Sequence, residues 1–315
     1  MKNQLVRLLF FLLVISMLSA CGSTESSKNG EDEEKSKEDS EEIIITHSMG
    51  EATIKTDPKR VVVLDPGALD NVLALGITPV GAPTMQLDMP FPEYLKDQTE
   101  DIEHIGTAYE PNIETIIKLK PDVIFGNKQY HEKLYEQLEA VGPTVIVETA
   151  GTTWKENLKI QAQALGLEDK AEKLLNDYHG RIENYKSSKG KDATSTEISL
   201  LRANTENVMV YLRQSFSGSI IEELGFSRPV SQQKDDFALE LNNEALPEMD
   251  GDYIFWFTRE QPNIIDSSFS NSPFWNNLEA VKNNKTFKVG YDTWLSGLGI
   301  QAANKIIDDV EKIIE

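Results

Sequence analysis

Apolar and polar residues alternate in short blocks from about residue 43 onward, and these blocks predict strands and helices in turn. Apolar runs rich in β-branched or aromatic residues predict strands at Val61–Leu64, Val123–Phe125, Thr144–Val147, Ile198–Leu201, Val208–Leu212, Tyr253–Phe257 and Thr286–Val289. Helices are predicted to begin near Gly67, Asn112, His131, Thr153, Glu168, Ser217, Asn242, Pro273 and Gly297. This alternation indicates an α/β fold with largely parallel sheets.

One block of the pattern occurs twice. The block from Asn112 to Phe125 returns 130 positions later, from Asn242 to Phe255, without a gap. Such a period is too long for a solenoid and suits two similar α/β lobes. The repeat therefore predicts two three-layer αβα lobes with a ligand cleft between them. It also predicts a partner that contacts the matching glutamates, Glu114 and Glu244.

A single long helix is predicted to join the lobes. Residues 168–188 are rich in helix formers, and an apolar face recurs at Ala171, Leu174, Leu175, Tyr178 and Ile182. The N-terminal lobe is then 43–167 and the C-terminal lobe 189–315, with an exposed turn at 187–195. Because one helix is a stiff connection, large closure of the lobes is not expected. The last helix carries an apolar stripe at Ile300, Ala303, Ile306, Ile307, Val310, Ile313 and Ile314.

The first residues have the pattern of an export signal. Lys2 and Arg7 flank an apolar run that is too short to span a bilayer, which predicts a signal peptide over residues 1–20. Leu18-Ser19-Ala20-Cys21 resembles a bacterial lipobox, so Cys21 is the expected lipidation site. A free cysteine beside an ordinary signal peptidase site is the alternative. As the chain has 1 cysteine, no internal disulfide is possible.

Residues 22–42 consist of glycine, serine, threonine, asparagine, lysine and acidic residues, the acids outnumbering the lysines, and contain no apolar side chain. A segment of this composition is predicted to be a disordered tether, over residues 21–42 with the lipidated cysteine. The net charge of −21 extends to the folded part and argues against nucleic acid as a partner.

Common enzyme motifs are absent from the sequence: it has no H-E-x-x-H, no C-x-x-C, no nucleophile elbow and no phosphate loop. The four histidines, His47, His104, His131 and His179, have no ligand spacing, which favours surface or structural roles over metal binding. No catalytic residue, no metal site and no cofactor are therefore expected.

Several short segments follow one another in a characteristic order: Pro58–Leu64, Leu75–Gly81, Pro111–Glu114, Leu119–Asp122, His131–Tyr135, Gly142–Val145, Ser217–Ile220, Leu224–Phe226 and Trp294. In this order they resemble the substrate-binding lipoproteins of ABC importers for iron–siderophore complexes and vitamin B12. Within that class the chain is most similar to binders of hydroxamate- or citrate-type ferric siderophores. The resemblance implies a monomeric, lipid-anchored receptor on the extracytoplasmic face of a bacterial membrane. It captures a ferric siderophore, whose own groups hold the iron, and delivers it to an ABC permease.

Arginine suits the carboxylate and hydroxamate oxygens of such a ligand. Arg202, Arg213 and Arg259 lie at or just beyond predicted strand ends, where open α/β sheets bind ligands. The resemblance favours Arg213 and adds Lys128 as a basic residue and Trp294 as a stacking residue. Tyr130, Tyr211 and Phe216 are further candidates for the cleft wall. Trp256 is a candidate too, although strand alternation favours the core for its side chain.

The resemblance also implies that Glu114 and Glu244 meet arginines on the two permease subunits. An acid in the first turn of a helix has a simpler alternative role, because it stabilises the helix dipole. Two other functions stay open at this point. One is a corrinoid or haem receptor of the same importer class, and the other is a lipid-anchored hydrolase or metal chaperone.

Overall fold

The first lobe is built on a parallel five-stranded sheet from the apolar runs of the first half of the chain. The computed structural model describes residues 41–87, 90–189, 191–203, 207–259 and 263–314. The strands are β3 Val61–Val63, β4 Gly81–Thr84, β5 Glu103–Thr107, β6 Val123–Asn127 and β7 Thr144–Val147, in the spatial order β5-β4-β3-β6-β7. Their helices are α1 Pro66–Ala74, α2 Ile113–Leu119, α3 Lys128–His131, α4 Tyr135–Glu139 and α5 Trp154–Leu165, with 3-10 turns at Glu93–Gln98 and Glu132–Leu134.

The second lobe repeats this plan with one change of direction. Its strands are β8 Ile198–Ala203, β9 Val208–Tyr211, β10 Ala238–Leu241, β11 Tyr253–Phe257 and β12 Thr286–Lys288, in the order β10-β9-β8-β11-β12. The strands β8, β11 and β12 are parallel, whereas β9 is antiparallel to both of its neighbours. Helices and turns fill the connections: α7 Lys191–Ser195, α8 Phe216–Glu223, Val230–Gln232, Asn243–Met249, Ile265–Phe269, α9 Pro273–Asn276, α10 Glu279–Lys282, α11 Tyr291–Trp294 and α12 Ile300–Ile313.

Both sheets are buried on both faces. Successive residues of β3 belong to different apolar cores, with Val61 and Val63 in one and Val62 in the other. The same holds for β8, where Leu200 and Leu201 face different cores. A sheet covered on both faces is the middle layer of an αβα sandwich, so the predicted two-lobed α/β fold is confirmed.

The sequence repeat corresponds to equivalent places in the two sheets. The first copy supplies α2 and β6, and the second supplies the 3-10 turn Asn243–Met249 and β11. Both strands occupy the fourth position in their sheets. In each copy an asparagine caps the helical segment: the Asn112 side chain accepts from Thr115 N, and that of Asn242 accepts from Glu244 N and Ala245 N. The sequence repeat therefore corresponds to a repeated unit of capped helical segment and strand, one in each lobe.

A long helix, α6 Glu168–Lys189, separates the two sheets along the chain and buries Ala171, Leu175, Tyr178, Ile182 and Tyr185. The turn predicted at residues 187–195 is wrong in part. The helix continues to Lys189, and the short helix α7 follows it. The reason is local, because Ser187, Ser188 and Lys189 are compatible with a helix and contain no breaker.

The structure adds a hairpin that the sequence pattern had not predicted. Strands β1 Glu42–His47 and β2 Gly50–Lys55 pair in antiparallel register, and Ile45 and Ile54 point into the core. Ser48 N donates to Ile146 O at 2.8 Å, which fixes the hairpin to β7. Strands β4, β5 and β10 were also not predicted.

The predicted signal peptide, Cys21 and nearly all of the tether lie outside the described residues. Within the described ranges, no helix has the length and apolar character needed to cross a membrane.

Candidate functional site

A cavity of about 230 Å³ lies between the two lobes, where the carboxyl ends of parallel strands converge. From the first lobe, Pro66 follows β3, Met85 follows β4 and Tyr130 follows β6. From the second lobe, Arg202 is near the end of β8 and Tyr291 follows β12. The remaining lining residues are Tyr109, Gln129, Ala150, Gly151, Tyr211, Phe216, Phe237, Leu295, Ser296 and Leu298.

Two guanidinium groups lie against one tyrosine ring in this cleft. The Arg259 guanidinium carbon is 4.3 Å from the centroid of Tyr291, and that of Arg202 is 5.7 Å from it. Arg259 also lines a small adjoining cavity that shares Pro66, Met85 and Ser296 with the main one. Among the described residues, nothing accepts a hydrogen bond from the buried Nε of Arg259.

Two ionisable groups beside these arginines have raised pKa values. Burial raises the pKa of Tyr211, and a hydrogen bond from Arg202 only partly offsets this, so its hydroxyl stays neutral. Burial also raises the pKa of the Asp292 carboxyl, against the opposing effects of Arg259 and Ser296. Arg202 and Arg259 thus bring two permanent positive charges to the cleft, and Arg259 faces the Asp292 carboxyl; guanidinium groups suit carboxylate oxygens on a ligand.

Aromatic side chains form the opposing wall of the cleft. Tyr109 and Tyr130 make an edge-to-face pair with ring centroids 4.8 Å apart. Behind them the buried His131 accepts from Asn127 N at Nδ1 and donates from Nε2 to Ala108 O, at 3.1 and 2.9 Å. Acceptance at Nδ1 needs a neutral ring, and burial lowers the pKa of His131. His131 therefore joins the segments that carry the two tyrosines and has a structural role.

The structure brings together part of the predicted ligand set. Arg202, Tyr130, Tyr211 and Phe216 line the cavity, and Arg259 lines the adjoining one. Their contact with a ligand remains a prediction, now with a common location.

Arg213 does not line either cavity. Its side chain is 50% exposed and is held by Glu222 at 3.2 Å and Asp235 at 3.7 Å. Its neighbours along the chain, Tyr211 and Phe216, do line the main cavity, whereas the Arg213 side chain is directed to the two acids. Contact between Arg213 and a ligand stays a prediction, which the cavity lining does not support.

Three further candidates also lie elsewhere. Lys128 makes an ion pair with Glu148 at 3.5 Å. Trp256 is half-buried, packs against the second lobe's core and lies under Lys288, as strand alternation favoured. Trp294 is 0% exposed and stacks on Phe255 with centroids 5.0 Å apart, so the prediction that it stacks on a ligand is corrected.

Trp294→Phe should therefore change stability and not ligand affinity. The indole Nε1 donates to Asp309 at 2.7 Å, and phenylalanine keeps the stacking but removes this donor. We expect a loss of about 1.5–3 kcal/mol in the free energy of unfolding, the scale of a hydrogen bond to a charged group. Urea denaturation measures the loss. Weaker ligand binding with unchanged stability would contradict the core assignment.

Glu114 and Glu244 are exposed and lie in the first turns of their helical segments, outside the cleft lining. Their equivalent positions follow from the repeat.

Sequence reasoning missed several cleft residues, including Tyr291, Tyr109, Phe237, Ser296 and Leu298. Tyr291 had a usable signal, because it follows a predicted parallel strand. Tyr109 and Phe237 had no such signal in the sequence. Each lies in a loop, Tyr109 before α2 and Phe237 directly before β10. In the described part of the chain, no group of three or more histidine, aspartate or glutamate side chains is placed to hold a metal ion.

Comparison with known proteins identifies relatives over nearly the whole chain. A family profile described as "Periplasmic binding protein" matches residues 61–292. The probable siderophore-binding lipoprotein YfiY of Bacillus subtilis (strain 168) is 37% identical over 324 residues, with 99% of this chain and 98% of that protein covered. The Fe(3+)-citrate-binding protein YfmC of the same strain is 32% identical over 315 residues, with coverage of 99% and 97%.

A solved structure agrees with these relatives. Staphylococcus aureus SirA complexed with staphyloferrin B has a TM-score of 0.78 and 33% identity to this chain. The match covers 86% of this chain and 98% of SirA.

Proposed function

Because the chain belongs to the periplasmic binding protein family, we propose that it is a receptor that captures a ferric siderophore and delivers it to an ABC permease for iron uptake. The family is a class of substrate-binding proteins rather than enzymes. Relatives named for siderophore and Fe(3+)-citrate binding support this ligand class. On this proposal the siderophore supplies the ligands of the iron, and the protein binds the outside of the complex without a cofactor.

The observation that carries the proposal is the pair of arginines on Tyr291. Arg202 and Arg259 approach the same ring from the second lobe, and the tyrosines of the first lobe face them across the cavity. A planar guanidinium donates two parallel hydrogen bonds to a carboxylate and stays charged at any physiological pH. Two of them favour a ferric complex that exposes carboxylate oxygens, as in the citrate type.

We further propose how the receptor is held at the membrane. The signal peptide covers residues 1–20, Cys21 carries the lipid, and residues 21–42 are the tether. The lobes of residues 43–167 and 189–315 with the helix of residues 168–188 then lie on the extracytoplasmic side and act as a monomer. A named siderophore-binding lipoprotein among the relatives supports this location.

Docking on the permease is proposed to use Glu114 and Glu244, one from each lobe. Both side chains are exposed, and the repeat gives them equivalent positions in the two lobes. Two separate charge pairs orient a partner and speed encounter more than they add affinity.

The double variant Glu114→Gln/Glu244→Gln should reduce iron uptake and leave ligand affinity unchanged. Each exposed ion pair contributes ~1 kcal/mol or less, so uptake at limiting ligand should fall by roughly three- to thirtyfold. The control is Glu51→Gln/Glu172→Gln, which removes two exposed glutamates elsewhere. Equal uptake by the docking variant and this control would leave Glu114 and Glu244 as helix-stabilising residues only.

Uptake in cells tests the function as a whole. A strain without this gene should lose import of radiolabelled ferric citrate-type complexes, and the wild-type gene should restore it. Haem and cobalamin uptake should be unaffected by the deletion. Loss of haem or cobalamin uptake, with ferric complexes still imported, would overturn the proposed ligand class.

A further inference from the structure

The last helix of the second lobe takes its N-terminal cap from the first lobe. The N-cap residue of α12 is Gly299, which has no side chain to offer. Ile300 N donates instead to the Asn71 side chain at 3.0 Å. Gln301 N and Ala302 N donate to the two carboxylate oxygens of Asp70, at 2.7 and 2.9 Å. The unpaired N–H groups that begin a helix are thus satisfied by α1, more than 200 positions earlier in the chain.

Asp70 is fully buried where α1 meets the start of α12. It is 0% exposed, and Tyr94 Oη donates to its Oδ2 at 2.8 Å. Burial raises the pKa of Asp70 to about 7, against the effects of the donors from Gln301, Tyr94 and Ala302. Tyr94 is the ionisable group that faces Asp70. The charge of Asp292 contributes to raising the pKa of Tyr94, after the larger effects of burial and of Asp70. Three donors point at the Asp70 carboxylate, so its ionised form, which only accepts hydrogen bonds, suits the cap.

The turn before α12 is pressed against α1. Leu298 has a φ of 58°, a left-handed conformation that is disfavoured for leucine. A Cβ on Gly299 would lie 2.5 Å from Asp70 Oδ1, and a Cβ on Gly67 would lie 2.8 Å from Leu298 O. A disfavoured turn in such close contact persists because its surroundings hold it, and Asp70 accepts two bonds from the first turn of the helix that directly follows it.

This turn also forms part of the cleft. Ser296 and Leu298 line the cavity beside Tyr291, whereas Asp70 lines neither cavity. We propose that Asp70 is a positioning residue for the ligand site: by capping α12 from the opposite lobe, it holds the turn of residues 295–299 in the shape that the ligand meets. The effect on ligand binding rests on the proposed function, whereas the effect on the turn does not.

The test compares Asp70→Ala with a matched control, Asp250→Ala. Asp250 also accepts from two backbone N–H groups at a helix start, Glu279 N at 2.8 Å and Ala280 N at 3.3 Å, but within the second lobe and away from the cleft. Both variants lose a capping carboxylate. Two milder variants, Asp70→Asn and Tyr94→Phe, keep part of the network and serve if Asp70→Ala does not fold.

Two readouts separate positioning from plain stabilisation. Amide hydrogen exchange of residues 295–302 in the unliganded protein should become faster in Asp70→Ala, less so in Asp70→Asn, and stay unchanged in Asp250→Ala. Titration with ferric citrate as the probe should show binding weakened by about tenfold or more in Asp70→Ala and unchanged in Asp250→Ala, because a misplaced wall costs affinity.

Unchanged exchange in residues 295–302 of the Asp70 variants would overturn the inference, whatever the ligand proves to be. Faster exchange with full ferric citrate affinity would also overturn it, since the turn would then not matter for binding. If the wild-type protein does not bind ferric citrate, the proposed ligand class fails, and the exchange result still decides the role of the cap.

Discussion

Alanine at both Arg202 and Arg259 is expected to abolish high-affinity binding of the ferric ligand. Each arginine removed costs about 1.5–3 kcal/mol, the scale of a lost charged hydrogen bond. The two share the Tyr291 ring, so their effects are coupled and their sum is only a guide. We expect a combined loss of about 3 kcal/mol or more, which corresponds to over a hundredfold in Kd. Titration of the purified variant with ferric citrate measures it.

Arg213→Ala is the matched control for this experiment. It removes an arginine of the same lobe that is half exposed and already paired with Glu222 and Asp235. Its ligand affinity should equal that of the wild-type protein. A large loss in Arg213→Ala together with full affinity in the double variant would move the site away from the cavity between the lobes.

Cys21→Ala is expected to release the whole receptor population from the membrane. The proposed acyl anchor on Cys21 holds the chain there, and no described helix is suited to do so in its place. The released protein should keep the fold and ligand affinity of the wild type, because the described strands and helices begin at Glu42. Fractionation of cells and medium measures the change. Full membrane retention of the variant would contradict lipidation at Cys21.

The two-lobed architecture was predictable because it depends on strong local signals. Buried parallel strands are continuous apolar runs, and Thr144–Val147 and Tyr253–Phe257 have the predicted bounds. The repeat added the second lobe, since a copied block of helix and strand takes the same place in an equivalent sheet. The hairpin β1–β2 was not predicted because its alternation of apolar and polar residues is short and directly follows the acidic tether. Strand β4, Gly81–Thr84, contains glycine and proline and has little strand signal.

The candidate site was only partly predictable from the sequence. The predictions about it that failed depend on contacts between residues far apart in the chain. Ion pairs with Glu222 and Asp235 hold the Arg213 side chain away from the cavity, and the residues next to Arg213 in the sequence do not indicate both partners. Trp294 precedes the last helix as the resemblance led us to expect, but packing on Phe255 turns its ring into the core. The Asp70 cap joins residues more than 200 positions apart, so nothing near Asp70 in the sequence indicates it.

The central claim is that the cleft binds a ferric carboxylate complex. Isothermal titration of the wild-type protein against ferric citrate, a ferric hydroxamate, haem and cobalamin tests it most directly. We predict a Kd below about 1 μM for a ferric complex that exposes carboxylates, and no comparable binding of haem or cobalamin. Tighter binding of haem or cobalamin, or no ferric ligand bound below that concentration, would contradict the account.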